Sequence, residues 1–195
     1  MGKNAKIIWW AFVIVILLII FTFFWKYNNF VTMEENVNTA WSQVENQYQR
    51  RLDLIPNIVS TVKWEANFEK STLEAVVNAR ASATKTTVNL NDVKELAEFQ
   101  KQQQWISQAL SRLLVVTENY PNLKSNQWFS DLRVQLEWTE NRISTERMRY
   151  NEEVQKFNIY LRVFPNNIIS SIFWFQKKNL FESDKWASNA PKVEF

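Results

Sequence analysis

The chain has no cysteine, no histidine and a single glycine, Gly2, among its 195 residues. Without cysteine there is no disulfide, thiol nucleophile, iron–sulfur cluster or thioester lipid anchor. Without histidine the usual proton shuttle and the commonest metal ligand are missing. One glycine cannot build a Gly-rich phosphate cradle or a nucleophile elbow. A β-rich fold needs turn residues every ~8–12 positions, and four prolines with one glycine do not supply them, so long helices are expected. An excess of charge is absent too. The 23 Lys+Arg and 20 Asp+Glu nearly balance, and no basic stripe with interleaved aromatics appears, which excludes nucleic acid as a partner. A cysteine-free chain is compatible with either redox compartment. Aromatic residues are plentiful at 15%, with ten Trp.

From Ile7 to Trp25 the chain reads IIWWAFVIVILLIIFTFFW, in which Thr22 is the only polar residue. A helix of that length spans the ~30 Å hydrocarbon core at ~1.5 Å rise per residue. Trp9 and Trp10 stand near one end, and Trp25, Lys26 and Tyr27 mark the other, the aromatic-belt arrangement of the two interfaces. A cleaved signal peptide fits less well, because the run is too long and no small-x-small site follows it. Lys3 and Lys6 precede the span and Lys26 alone follows closely. The positive-inside rule then puts the bundle on the extracytoplasmic side.

Past Asn28 the apolar residues Val37, Trp41, Val44, Tyr48, Leu52, Ile55, Val59 and Val62 recur every three or four positions, a coiled-coil-like seam. No breaker separates it from Trp25, so the membrane helix is expected to run straight into it, with a kink at Pro56. A second helix is expected from Ser71 to Thr84, with Ser71 and Glu74 as a capping box. A third, capped by Asn91 or Asp92, carries Val93, Leu96, Ile106, Leu110, Leu113 and Thr117 and stops at Tyr120-Pro121. A fourth runs from Phe129 to Phe164 with one polar gap at Glu146–Arg147. The expected fold is all-α: an N-terminal transmembrane helix continuing into an antiparallel up-down four-helix bundle of long helices. The expected division is 1–27 for tail and anchor, 28–165 for the bundle, and 166–195 for an aromatic, amphipathic C-terminal tail.

Within that tail, residues 166–178 suit either a segment lying at the membrane interface or a flap covering the open end of the bundle, the second being preferred. Phe173, Trp174 and Phe175 are its expected contact residues, and Phe195, in a closing Pro191–Phe195 stretch, is expected to make a strand-like contact with a neighbour. Arg50, Arg51 and Asp53 on one helix and Glu140, Asn141 and Arg142 on another lie at or beside apolar seams. Paired across the bundle they would fix helix register or form a partner interface. Asn57 is expected to donate to a carbonyl freed at Pro56. Glu34-Glu35 and Glu152-Glu153 read as solvated faces rather than a metal site, so no cofactor is expected. Trp105, Trp128 and Trp138 could be core anchors or interface hot spots; each read singly is a core anchor, while at least one of the ten Trp is expected at an interface.

Several of these residues resemble the bacterial LemA family. They include Val37-x-x-Ala40-Trp41-Ser42-Gln43-Val44-Glu45-Asn46-Gln47-Tyr48-Gln49-Arg50-Arg51-x-Asp53-Leu54-Ile55-Pro56-Asn57, Glu140-Asn141-Arg142-Ile143, Tyr150-Asn151, Phe164-Pro165-Asn166-Asn167 and Pro191-Lys192-Val193-x-Phe195. Trp64 departs from the family, which often has glycine there. The resemblance implies a single-pass protein of the bacterial inner membrane with a helical-bundle domain, and it carries over no reaction. Family members are often encoded near membrane peptidases, which points to such proteins as partners.

The function expected from these features is a non-enzymatic, membrane-anchored scaffold or interaction protein whose partners are the lipid bilayer and further copies of itself. The alternative is an accessory or sensory subunit of a membrane protease, quality-control or signalling system.

Overall fold

The computed structural model describes residues 2–64, 68–84 and 88–182. They form six helices and, among the described residues, no strand. The helices are α1 (Lys3–Lys63), α2 (Lys70–Ala83), α3 (Val93–Thr117), α4 (Pro121–Lys124), α5 (Gln127–Arg162) and α6 (Asn166–Ile172).

Helix α1 has 61 residues and is therefore about 90 Å long. It changes character along its length. Between Ile7 and Trp25 nearly every large apolar side chain is exposed, all round the helix. From Phe30 onward one stripe is buried, made of Phe30, Val37, Trp41, Val44, Tyr48, Leu52, Ile55, Val59 and Val62 and widened by Leu54 and Ile58. Among the described residues it is the one helix long and apolar enough to cross a membrane.

The stripe packs mainly on α5. Phe30 meets Tyr160 at 4.7 Å between ring centroids, Trp41 meets Tyr150 at 5.5 Å, and Arg51 meets Glu140 at 2.6 Å. As α1 advances, α5 retreats by nearly equal steps, so the two are antiparallel and stay in register. Helices α2 and α3 form a second antiparallel pair, with Arg112 late in α3 bridging to Glu69, just before α2, at 3.1 Å. Phe99 of α3 packs on both Trp41 and Tyr48.

Local chemistry sets the helix ends. The Asp92 carboxylate accepts from the amides of Lys94 and Glu95 at 2.8 and 3.4 Å, and the Asn126 side chain accepts from the amide of Phe129 at 3.3 Å. These side chains satisfy donors that a helix start leaves unpaired. Pro121 opens α4 at its first turn, where its missing N–H costs nothing. The expected capping box is not formed. Helix α2 starts one residue earlier, at Lys70 after Glu69, so the Ser71 hydroxyl donates to the Glu69 carboxylate and Glu74 lies 3.5 Å from Lys70 instead.

The core falls into two clusters. One, nearer the exposed half of α1, gathers Phe30, Trp41, Tyr48, Phe99, Tyr150, Phe157 and Phe181. The other gathers Ile55, Val62, Val76, Ile106, Leu113 and Phe129. Trp105, Trp128 and Trp138 belong to neither. They are exposed, because α3 and α5 point their seams elsewhere, and the expectation that each is a core anchor is corrected here.

Ile106 is fully buried, so Ile106→Ala should lose about 2–5 kcal/mol of stability in chemical denaturation of the full chain in detergent. Met148→Ala, a change at an exposed side chain, should move it by only about 0.5 kcal/mol. Equal losses would contradict this assignment of core and surface.

Candidate functional site

Arg51 lies between the two core clusters and is 1% exposed. A charge that deep has to be paired and hydrogen-bonded. Its Nη1 donates to Glu140 Oε1 at 2.6 Å and to Ser107 Oγ at 2.8 Å, and its Nη2 donates to Gln103 Oε1 at 2.5 Å. The guanidinium also stands 5.2 Å from the Tyr48 ring centroid. One side chain thus joins α1, α3 and α5. It accounts for Gln103, a buried polar residue in the otherwise polar Gln100–Gln104 run. Arg50, Asp53, Asn141 and Arg142 take no part. All four are exposed, with Asp53 accepting from Gln49 at 2.8 Å and Arg142 lying 4.0 Å from Glu146.

Pro56 sits inside α1 on its exposed side. Having no N–H, it leaves the carbonyl of Leu52 without its helical partner. Arg80 of α2 fills the vacancy, its Nε donating to the Leu52 carbonyl at 3.1 Å. The expectation that Asn57 does this is corrected, because Asn57 is exposed and its own carbonyl accepts from Thr61.

Beyond α6 the chain runs back as an extended segment along α1 and α5. Asn158 brackets Lys178, donating to its carbonyl at 2.9 Å and accepting from its amide at 3.0 Å. Asn151 brackets Phe181 in the same way at 3.2 and 2.9 Å. The geometry explains the spacing: seven helical residues rise about 10.5 Å, and three extended residues cover about 10 Å. Tyr150 donates its hydroxyl to the Asn179 carbonyl at 2.9 Å, and Arg147 donates to the Glu182 carbonyl at 3.1 Å. Burial pushes the Tyr150 phenol well above the usual tyrosine range, so it remains a donor. Phe181 stacks on Trp41, with centroids 5.7 Å apart, and the largely buried Lys178 pairs with Glu34 at 2.6 Å.

The four residues that clamp this segment, Arg147, Tyr150, Asn151 and Asn158, are not singled out as a site by the sequence, which shows only the Tyr150-Asn151 pair and the polar gap containing Arg147. Their signal was available in outline. Arg147 precedes Tyr150 by three positions and Asn151 by four, and Asn158 follows Asn151 by seven, on a face that otherwise reads as seam.

Nearer the exposed half of α1, Phe173 lies 4.6 Å from Tyr27 and 5.5 Å from Phe23 between centroids, and Phe175 stacks on Phe30 at 4.9 Å. Lys26 Nζ stands over the rings of Trp25 and Tyr160 at 5.6 and 5.5 Å. Trp174 is exposed, as are Ile7, Trp9, Trp10 and Trp25. Phe195 lies outside the described residues. Among the described residues no cluster of three or more Asp or Glu could hold a metal ion. Glu152 and Glu153 line a shallow cleft of about 430 Å³ with Asn36, Gln43, Glu146 and Arg149.

Replacing both clamp asparagines, Asn151→Ala with Asn158→Ala, removes four hydrogen bonds to backbone and should free the segment at Lys177 and Lys178 to enter the trypsin cleft, seen as faster cleavage of the folded chain; an unchanged rate would contradict the clamp. The folded protein holds the Tyr150 phenol neutral while the unfolded chain ionises it above about pH 10. The stability this contributes is present below that pH and is lost as pH rises beyond it. Tyr150→Phe should therefore lose less stability than the parent chain between pH 10 and 11, as read by urea midpoints. Glu140→Gln weakens a charge-assisted bond to a buried guanidinium and should cost about 1–3 kcal/mol in the same assay.

Two relatives named magnetosome protein MamQ 2 and MamQ 1, from Paramagnetospirillum magneticum, are each 26% identical to this chain over 200 residues, covering 93% of it and 73% of their own length. Magnetosome protein MamQ of Magnetospirillum gryphiswaldense is 23% identical over 191 residues, covering 88% of the chain and 70% of its own. The model of the LemA family matches residues 40–195, a range that holds the Arg51 node, the Arg80 contact and both clamp asparagines. The chain belongs to the LemA family.

Proposed function

We propose that the protein is a non-enzymatic, membrane-anchored helical scaffold that associates with further copies of itself through its bundle. The observation that carries this reading is the set of tryptophans on the bundle surface. Trp64 is 88%, Trp128 77% and Trp138 66% exposed, and Trp105 is also at the surface. Indole rings offer much apolar area at little entropic cost and are enriched where partners bind. The wholly lipid-suited half of α1 supplies the anchor, and its direct continuation into the bundle supports a rigid rather than a tethered domain. The names of the relatives describe proteins of a structure, the magnetosome, and not a reaction, which supports a non-catalytic role. In this proposal the membrane is the bacterial inner membrane, with Lys3 and Lys6 on the cytoplasmic side and the bundle outside.

Native mass spectrometry of the full chain in lipid nanodiscs tests the proposal. The expected mass is that of several copies, falling to one copy in the Trp128→Ala, Trp138→Ala double variant. A single copy in the parent chain would overturn self-association. The role of accessory subunit to a different membrane protein would then take its place.

A further inference from the structure

We propose that the corner formed by the end of α5 and by α6 is a second membrane-inserting element, seated in the bundle-side leaflet with lipid acyl chains filling the cleft between α6 and α1. This rests on the reading of α1 as membrane-spanning.

The position of the cleft along α1 is the first observation. It measures about 470 Å³ and is lined by Val15, Ile19 and Phe23 of α1 and by Pro165, Ile168 and Ile169 of the corner. Val15 and Phe23 lie ten and two residues before Trp25, or about 15 and 3 Å along the helix axis. With Trp25 at the interface, that range is the depth of one leaflet of a ~30 Å hydrocarbon core. A surface beside Val15–Phe23 cannot stand in water while α1 spans.

The composition and exposure of the corner agree. Val163 to Gln176 contains no charged residue, and Arg162 and Lys177 bracket it. Phe164 is 80% exposed, Trp174 84%, and Ile168 and Ile172 are more than half exposed. Trp174 adopts a left-handed backbone conformation, φ 57°, a costly one for a bulky residue. The turn it makes lays Phe173, itself partly exposed, against Tyr27 and leaves the indole outside. In hydrocarbon every polar group needs an internal partner, and three of the four polar side chains of α6, all but the exposed Asn167, donate to backbone. Ser171 donates to the Asn167 carbonyl at 2.9 Å, Ser170 to the same carbonyl at 3.0 Å, and Asn166 to the Tyr160 carbonyl at 3.2 Å.

Acyl chains are the occupant because at that depth they are the solvent, so the apolar surface is covered without any partner. The cations Lys26, Arg162 and Lys177 stand at the ends of the apolar segments, where lipid phosphates lie. The corner is thus a short interfacial helix held against a spanning one.

The chain lacks native cysteine, so single nitroxides can be attached to the full protein at Ile168→Cys and Ile172→Cys, with Phe21→Cys in the span and Gln49→Cys on the bundle as references. Collision with oxygen and with a water-soluble nickel chelate is then measured in nanodiscs. Labels at 168 and 172 should favour oxygen, at a depth of about 5–10 Å below the phosphates. Collision with nickel equal to that at 49, with 21 still in lipid, would overturn the inference and leave the anchor standing. Protection from both reagents at 168 and 172 would also overturn it, as the sign of a protein partner on the cleft. Nickel access at 21 would overturn the spanning reading itself.

Discussion

One helix has to satisfy two environments. The half of α1 between Ile7 and Trp25 is apolar on every side, and the half beyond Phe30 is apolar on one. No proline or glycine interrupts the passage between them, so the direction of the first half dictates where the second stands. Everything else packs on that rod. Helix α5 lies antiparallel to it in register, α3 reaches it through Phe99, Gln103 and Ser107, and the extended C-terminal segment returns to it through Phe173, Phe175 and Phe181.

A rod this long raises a question of register, since seams of similar apolar residues tolerate sliding by a turn. The polar contacts answer it. The two terminal nitrogens of Arg51 find their partners only when Gln103, Ser107 and Glu140 arrive together. A slide of one turn along α5 would strand a buried guanidinium, which costs more than the pair contributes. Arg80 does similar service for α2, because the Leu52 carbonyl lacks a partner for a reason built into the sequence at Pro56. The two asparagine brackets fix the tail to within one residue, because an amide side chain that both donates and accepts fits one backbone position at a time.

Apolar periodicity makes the helices legible in the sequence. The seam of α1 and the Asp92 cap are properties of short windows and stand where the sequence puts them, whereas α3 stops at Thr117, three residues before the expected halt at Tyr120. The candidate site was legible in part. That Arg51 and Glu140 sit near seams could be read; that they meet each other and not Asp53 or Arg142 depends on how α1 and α5 face one another. The Leu52–Arg80 contact joins residues 28 apart, and the clamp joins α5 to a segment with no periodicity of its own. No window contains either. Tryptophan misleads in the other direction, because its size favours the core, although the spacing of Phe129, Leu132, Leu136 and Thr139 already leaves Trp128 and Trp138 off the seam that α5 buries.

The scaffold role and the inserted corner both depend on a single unbroken helix leading from bilayer to bundle. The most direct test is a distance. Paired nitroxides at Phe24→Cys and Glu45→Cys on the full chain in nanodiscs, diluted with unlabelled protein, span 21 residues of α1. A continuous helix predicts a narrow distribution centred at about 32 Å. A broad or markedly shorter one would mean a hinge between anchor and bundle, and would contradict the account.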